Sequence, residues 1–339
     1  MIKELELWEF IASRLSVGEC LILLVVAKSV GSSPGRAGYK MAVAAAGEMF
    51  GSIGGGMMEV NLVERSRAAM SEPEPLAFFP ATLIEQVHQK NAANPSGMIC
   101  SGRQTVIVKQ LTPSELNTVN FIVDTLQKQQ PLAFEISNLR FQIIESTTDN
   151  SRRLFSIMRE TDFVYQEKLG QTNHLFIIGG GHCALALSEL MSKLDFRIRI
   201  FDDRPDLNTI AKNKFADDVT IVDSYQKIGE HIPDEENTYV AVMTLGYVSD
   251  AVVIRQLFDR DFKYFGVLGS RAKMATLIKE LRAEGLSDER LSRIHTPIGL
   301  PINSQTPEEI AVSIAAEIIS VKNRTGAQAS CLPTPVPPA

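Results

Sequence analysis

Residues 175–204 constrain the fold of this chain more than any other stretch. A short apolar run is followed there by three glycines, an amphipathic helical pattern and a second apolar run that ends in two aspartates. Leu175–Ile178 has the length and composition of a buried parallel strand. Gly179–Gly181 can adopt backbone angles that other residues avoid, so the chain can turn sharply into a helix that begins near His182. This order predicts one βαβ unit of a Rossmann-type fold.

The same turn is suited to binding a phosphate group. The free N–H groups at the start of the helix, together with its positive dipole end, would face a phosphate above the strand, and Gly181 has no side chain to block it. Asp202, about 20 residues after the first glycine, is placed to accept a ribose hydroxyl. The alternative is that the glycines serve only the turn and the helix packing. His182 is either a solvated residue at the helix start or a ligand contact.

Length and element pattern predict two domains. A chain of 339 residues can bury about two hydrophobic cores. We expect an N-terminal mixed α/β domain over 1–170, a Rossmann-like domain over 171–322 and a disordered, proline-rich tail over 323–339. Further apolar runs in the second half, with helices between the later ones, predict five parallel strands in the order 3-2-1-4-5. Thr306–Glu309 reads as the capping box of a last helix.

Composition excludes several classes of function. A formal charge of −6 without a basic stripe argues against a nucleic-acid partner. The apolar run 21–27 is shorter than the roughly 20 residues of a membrane helix, and no signal peptide precedes it, so we expect a cytoplasmic protein without a membrane span. Four cysteines without a CxxC pair suggest neither a disulfide framework nor a standard zinc site. The identity of any metal ligands is left open.

Other residues are predicted at the edge of the parallel sheet. Gly269, Ser270 and Arg271 follow a strand and open a helix, where backbone N–H groups and an arginine would meet a ligand. Alternatively, Ser270 caps the helix and Arg271 is solvated. Thr244, just past the fourth strand, is either a hydroxyl donor to a ligand or a cap. The loop 296–300 either closes over the crevice or is a rigid connector.

The first half contains three loops rich in small residues, at 32–35, 54–56 and 100–102. Such loops let backbone amides approach an anionic ligand. Glu59 lies in the first turn of the helix that follows the second loop, where a carboxylate either stabilises the helix dipole or contacts a ligand. Cys100 has small neighbours that can leave its thiol accessible, although a lone cysteine is more often an inert core residue.

With these features placed, the chain resembles the XdhC/CoxI family of xanthine dehydrogenase accessory proteins over nearly all of residues 5–322. The motifs that carry the resemblance are VGSSPGRAGYKM, GEMFGSIGGGMMEVNLVE, FIIGGGH, FDDRPD, FGVLGSRAKM, LRAEGLSDERLSRIHTPIGLPI and TPEEIAVSIAAEII. The resemblance implies a two-domain chaperone, non-catalytic or weakly catalytic, that binds, sulfurates and inserts the molybdenum cofactor. Its implied partners are a molybdenum hydroxylase of the xanthine dehydrogenase type and a cysteine desulfurase.

Several positions depart from the family pattern. The family's Ser-Gly-Gly-Cys-Leu-Glu run is Gly54 to Glu59 here, so Met57 stands where relatives have a cysteine. The family's Cys-Gly-Gly motif keeps Cys100, but Ser101 replaces its first glycine. Leu245 and Tyr247 replace two histidines. Loss of a thiol and of imidazoles weakens any soft-metal or sulfur site, so sulfuration by this chain is an open question.

The leading hypothesis is a molybdenum-cofactor accessory protein whose crevice holds the phosphate end or the nucleotide part of the cofactor. The residues assigned to the crevice are Gly179, Gly181, His182, Asp202, Arg204, Thr244, Gly269, Ser270 and Arg271. The residues assigned to the metal end are Cys100, Gly54, Gly55 and Gly56, and Glu59 is a further candidate for cofactor binding. One rival is an NAD(P)-dependent oxidoreductase that uses the same glycine turn. Another is a scaffold that contacts the hydroxylase without binding a cofactor. A homodimer is the default expectation for an oligomer.

Overall fold

The computed structural model describes residues 2–71, 80–88, 102–145, 152–159 and 162–323. The chain divides into two compact units, Met1–Gln171 and Thr172–Ala339. The predicted fold class is confirmed, because the first unit is mixed α/β with antiparallel sheets and the second is built on a parallel sheet. None of the helices in these ranges is both long and apolar enough to cross a bilayer.

Within its described residues, the first unit combines antiparallel strands with three α-helices. Its elements are α1 (Ile2–Ser16), β1 (Leu21–Gly31), β2 (Lys40–Ala44), β3 (Met49–Gly51), α2 (Gly56–Ser71), β4 (Thr82–His88), β5 (Gly102–Leu111), a 3₁₀ turn (Pro113–Glu115), α3 (Leu116–Gln127), β6 (Leu132–Ser137), β7 (Phe141–Ile144), β8 (Arg153–Arg159) and β9 (Asp162–Leu169). The sequence near residues 76–88 also predicts a strand; the described strand begins at Thr82, and residues 72–79 lie outside the described residues.

These strands form two sheets, in the orders β3-β2-β1-β5-β4 and β7-β6-β9-β8. β1 is buried on both faces because its side chains alternate. Leu21, Leu23 and Val25 join a core with α1, α3 and the second sheet. Their neighbours on the other face pack with Leu62 and Val63 of α2. The helical spacing of Trp8, Ile11 and Leu15 predicts that they lie on one inward face of α1, and the structure confirms this, since all three are fully buried.

The second unit alternates strands and helices. Its elements are β10 (Asn173–Ile178), α4 (His182–Ser192), β11 (Phe196–Asp202), α5 (Asn208–Lys212), β12 (Asp218–Ile221), a 3₁₀ segment (Tyr225–His231), β13 (Thr238–Val242), α6 (Tyr247–Leu257), β14 (Tyr264–Val267), α7 (Arg271–Ala283), α8 (Asp288–Leu291) and α9 (Pro307–Lys322). The connection from β12 to β13 is therefore 3₁₀ and not an α-helix as predicted. The predicted tail lies outside the described residues from 324 onwards.

The parallel sheet has the order β12-β11-β10-β13-β14, which confirms the predicted 3-2-1-4-5 arrangement. α4 and α9 cover one face, where Leu187, Met191 and Ile314 are buried together. α6 and α7 cover the other face. The strand order reverses between β10 and β13, so a crevice opens there at the carboxyl ends of the strands. The predicted capping box of α9 is confirmed, since Thr306 and Glu309 bond each other's backbone N–H.

Candidate functional site

The glycine turn after β10 divides into two structural glycines and one that leaves space. Gly179 has φ +106°, and a Cβ there would lie 2.3 Å from the carbonyl oxygen of Met243. A Cβ on Gly180 would lie 2.7 Å from Cγ1 of Ile210. At Gly181 φ is −69°, and no atom lies within 4 Å of the position of a Cβ. The first two glycines therefore serve packing, while the third keeps the helix start accessible.

Two helices begin on either side of the switch point without a side-chain cap. Gly181 is the N-cap of α4, and His182, the first helical residue, is exposed. Gly246 is the N-cap of α6, and a Cβ there would also meet no atom within 4 Å. Uncapped helix starts keep free N–H groups and a partial positive charge. The crevice thus has two adjacent backbone surfaces suited to an anion.

Asp202 does not face the crevice as a free acid, which corrects the predicted contact with a ribose. Its side chain is 0% exposed. Oδ2 accepts from the N–H of Gly180 at 2.6 Å and from Nη2 of Arg204 at 2.7 Å, and Oδ1 accepts from the N–H and Nε of Arg204 at 2.9 and 2.8 Å. Burial alone would raise the pKa of Asp202, but the bonds from Arg204 and Gly180 outweigh it and lower that pKa. Asp202 therefore holds the turn and Arg204 in place.

The neighbouring acid, Asp203, is the one that solvent reaches. Its side chain is 41% exposed, and it lies 3.8 Å from Nε of Arg204. The hydroxyl of Tyr225 donates to its Oδ1 at 3.4 Å, and burial raises the pKa of that tyrosine. Of the two adjacent aspartates, Asp202 was the one assigned to the ribose. Adjacent residues point to opposite sides of a strand, so the alternation along β11 could have indicated that Asp203, and not Asp202, is accessible.

A buried carboxylate connects the residue that follows β13 by two positions with the first turn of α7. Asp250, in the first turn of α6, has a side chain that is 0% exposed. Its Oδ1 accepts from the hydroxyl of Thr244 at 2.5 Å, and its Oδ2 accepts from Nζ of Lys273 at 2.8 Å. The hydroxyl of the predicted site residue Thr244 is thus used inside the protein. Sequence reasoning missed Asp250 and Lys273, although each lies close in sequence to a predicted residue.

At the start of α7, the structure supports the alternative in which Ser270 caps the helix and Arg271 is solvated. Ser270 is the N-cap, and its hydroxyl accepts from the N–H of Lys273 at 3.3 Å. Arg271 is exposed. A Cβ on Gly269 would lie 2.6 Å from Cε of Met274, the end of a flexible side chain that can move aside. The capping contact accounts for Ser270 without a ligand, whereas Arg271 stays available to one.

The loop 296–300 is attached to β14. The N–H of His295 donates to the carbonyl of Phe265, and the N–H of Val267 donates to the carbonyl of His295. Ile298 continues this pairing by donating to Val267 and is itself buried. The rigid-connector alternative therefore describes this loop.

In the first unit, the predicted small-residue loops converge. Gly54 has φ +125°, and a Cβ there would lie 2.3 Å from the backbone nitrogen of Gly35. A Cβ on Gly102 would lie 2.5 Å from the backbone nitrogen of Ser33. Buried Gln104 joins the loops, since its Oε1 accepts from the hydroxyl of Ser33 and from the N–H of Gly35. Cys100, which was assigned to the metal end together with the 54–56 loop, lies outside the described residues.

Glu59 organises the second of these loops. Its Oε2 accepts from the hydroxyl of Ser52 at 2.7 Å, the N–H of Ile53 at 2.8 Å and the N–H of Gly55 at 3.0 Å. Burial alone would raise the pKa of Glu59, but these hydrogen bonds prevail and lower it. The structural alternative for Glu59 is therefore the one the geometry supports. Because a carboxylate already lies at the start of α2, a second anion is disfavoured there.

Two of the described positions that depart from the family pattern are exposed, Met57 and Leu245, the latter by 83%. A third, Tyr247, is partly buried, and its hydroxyl donates to Glu280. Throughout the ranges that the structure describes, no three or more His, Cys, Asp or Glu side chains are grouped so as to hold a metal ion.

The parallel sheet, the reversal of strand order and the open glycine turn define the second unit as a Rossmann-type domain. Two family models match the chain, "XdhC Rossmann domain" over residues 175–318 and "XdhC and CoxI family" over residues 15–78. Together they cover more than half of it. The chain belongs to the XdhC and CoxI family, which confirms the resemblance seen in the sequence motifs.

Similar proteins are known from three bacteria. The chain is 25% identical to the Escherichia coli protein YqeB over 316 residues, which cover 92% of this chain and 46% of that protein. It is 24% identical to a Bacillus subtilis protein named as a probable component of xanthine dehydrogenase, with 89% and 93% coverage. A crystal structure from Bacillus halodurans, described as a xanthine dehydrogenase, aligns with a TM-score of 0.69 at 19% identity over 95% of this chain and 98% of its own. That last likeness concerns the fold.

Proposed function

We propose that the protein is an accessory factor of a xanthine dehydrogenase-type molybdenum hydroxylase, and that it binds the molybdenum cofactor as cargo for insertion. Membership of the XdhC and CoxI family and the name of the Bacillus subtilis relative support the accessory role. Binding of the cofactor itself is the finer part of the proposal and rests on the geometry of the Rossmann crevice.

The observation that carries cofactor binding is the open space at Gly181. The N-caps of α4 and α6 are both glycines without a side-chain cap and with nothing within 4 Å of a Cβ position. A pterin cofactor ends in a phosphate, and two adjacent helix starts offer N–H donors to such a group. His182 and Arg271, both exposed, are the proposed side chains nearest to it.

Insertion is a better supported role than sulfuration. A transferable sulfur is carried as a persulfide on a thiol, and Met57 offers a thioether where relatives of the family have a cysteine. Sulfuration with a cysteine desulfurase therefore depends on Cys100 and stays a prediction. Comparing the hydroxylase activity obtained with the wild type and with Cys100→Ala separates the two roles.

Anaerobic calorimetry with purified molybdenum cofactor tests the binding proposal. We expect saturable, stoichiometric binding by the wild type and at least about 10-fold weaker binding by Gly181→Val, because the added side chain fills the space over the helix start. The fold should tolerate this change within about 1 kcal/mol, since φ is already negative and an N-cap glycine is not required. Unchanged cofactor affinity in a folded Gly181→Val protein would contradict the proposed location.

An NAD(P)-dependent oxidoreductase is the second candidate, because exposed Asp203 is placed to accept ribose hydroxyls beside the same turn. A parallel titration with NAD(H) and NADP(H) separates the candidates. Binding of a nicotinamide cofactor without the pterin would favour the oxidoreductase. Capture of the hydroxylase by a protein that binds neither would favour a scaffold.

A further inference from the structure

We propose that Lys273 is the side chain that selects an anionic ligand in the Rossmann crevice, and that Asp250 is the positioning residue that holds its ammonium group there. This inference rests on the proposed function, in which the crevice takes a phosphate-bearing ligand. It assigns a direction to that ligand, with its anionic group toward the loops after β13 and β14.

The geometry fixes where the ammonium group lies. Nζ of Lys273 donates to Oδ2 of Asp250 at 2.8 Å. The carboxylate is 0% exposed, whereas the lysine side chain is 29% exposed. An ammonium group has three donors, and the bond to Asp250 uses one. Asp250 is therefore shielded from a ligand, while Lys273 remains accessible beside the open start of α6.

Asp250 is itself held from two directions. The hydroxyl of Thr244 donates to its Oδ1 at 2.5 Å, and its backbone N–H donates to the carbonyl of Gly246. The stem of Lys273 passes close to Gly269, since a Cβ on that glycine would lie 3.3 Å from Cδ of the lysine. The lysine is thus positioned by both neighbouring loops.

The placement of charge at α7 is unfavourable for the helix alone. Arg271 and Lys273 both lie in its first turn, which contains no acid. A helix dipole favours anions at that end, so two cations there cost stability unless another charge compensates. An ion pair in which one partner is solvent-accessible is also a weak source of stability. Keeping a cation at the crevice explains the arrangement better than stability does.

The two sides of the crevice differ in sign. On the β11 side, Arg204 is bound to Asp202 and lies near Asp203, which leaves an excess of one acid. On the β14 side, Asp250 faces Lys273 with Arg271 close in sequence, which leaves an excess of one base. A ligand with hydroxyl or amide groups at one end and a phosphate at the other matches this polarity.

Calorimetry with two probes, the molybdenum cofactor and ADP, tests the inference. We expect Lys273→Met to weaken binding of the probe that the wild type binds by about 10- to 100-fold, as for loss of a charged hydrogen bond. It should also reduce the dependence of the dissociation constant on salt, because a charge contact is lost. Lys273→Arg should retain much of the affinity and much of its dependence on salt. Asp250→Asn should weaken binding less, because the ammonium group is retained but loses its position.

Lys279→Met is the matched control, since Lys279 is an exposed lysine on the same helix. Wild-type affinity and salt dependence in a folded Lys273→Met protein would overturn the inference while leaving the proposed function intact. The same loss in Lys279→Met would overturn it too, by showing a general charge effect. If the wild type binds neither probe, the proposed function and this inference fail together.

Discussion

At the scale of single residues, Glu167 on β9 is a buried carboxylate that pairs with two cations. Its carboxylate is 0% exposed and lies 2.8 Å from both Nζ of Lys40 and Nε of Arg153. The hydroxyl of Tyr165 donates to it at 2.7 Å. Burial alone would raise the pKa of Glu167, but the two cations and the hydrogen bonds hold it at about 2. Lys40 also pairs with Glu4, so this network joins α1, β2, β8 and β9.

Replacing this carboxylate should destabilise the first unit strongly. We expect Glu167→Gln to lower the free energy of unfolding by about 3–5 kcal/mol at pH 7, because Lys40 and Arg153 lose their shared counter-charge. Urea unfolding followed by the fluorescence of Trp8, the single tryptophan of the chain, reports on this unit. Glu85→Gln, at an exposed pair with Arg103 in the same unit, is the control and should cost less than about 1 kcal/mol.

The same network predicts a pH dependence. The folded pKa of about 2 lies below the ordinary value of 4.5, so the stabilisation is complete above pH 4.5 and is lost as the pH falls toward 2. The wild type should therefore lose stability over this interval more steeply than Glu167→Gln. Parallel acid titrations of the two proteins check this expectation, and equal slopes would refute the assignment.

At the scale of elements, the loops of the first unit are joined by backbone contacts that only glycine allows. Gly54 and Gly55 are adjacent and both have positive φ, at +125° and +74°. A Cβ on Gly54 would collide with Gly35, whereas a Cβ on Gly55 would meet nothing within 4 Å. The two positions therefore separate the cost of backbone strain from the cost of collision between loops.

Alanine at these two positions should have unequal effects. Gly55→Ala should cost about 1–2 kcal/mol, which is the penalty for a side chain in a left-handed conformation. Gly54→Ala should cost about 2–5 kcal/mol, since displacement of the 32–35 loop is added to the strain. Chemical unfolding of both variants checks this order. Equal losses would mean that the loops do not depend on this contact.

At the scale of the molecule, each unit has its own hydrophobic core. The first is built on Trp8, Leu23 and Phe134, and the second has one core on each face of its parallel sheet. A unit with its own core can fold alone. We therefore expect residues 172–323 to unfold cooperatively as a separate fragment and to keep the crevice affinity of the full chain. Circular dichroism and calorimetry measure the two properties, and a fragment without a thermal transition would contradict the expectation.

Much of this architecture could be predicted because it depends on local pattern. The glycine turn, the periodicity of α1 and α4 and the capping box of α9 are written in neighbouring residues, and each gave the observed element. The order of the five parallel strands followed from the strand order of the doubly wound fold that the glycine turn indicates. The 3₁₀ segment between β12 and β13 could not be predicted, because its short apolar pattern does not distinguish a 3₁₀-helix from an α-helix.

The sequence by itself determined the fold class, the family and the place of the crevice, since these depend on periodicity and on motifs of adjacent residues. Only the tertiary structure decided which side chains the crevice offers. It buried Asp202 against Gly180 and Arg204, left Asp203 exposed, and joined Asp250 to Lys273 across 23 positions of sequence. Partners so far apart are chosen by which strands become neighbours, and no local pattern records that choice.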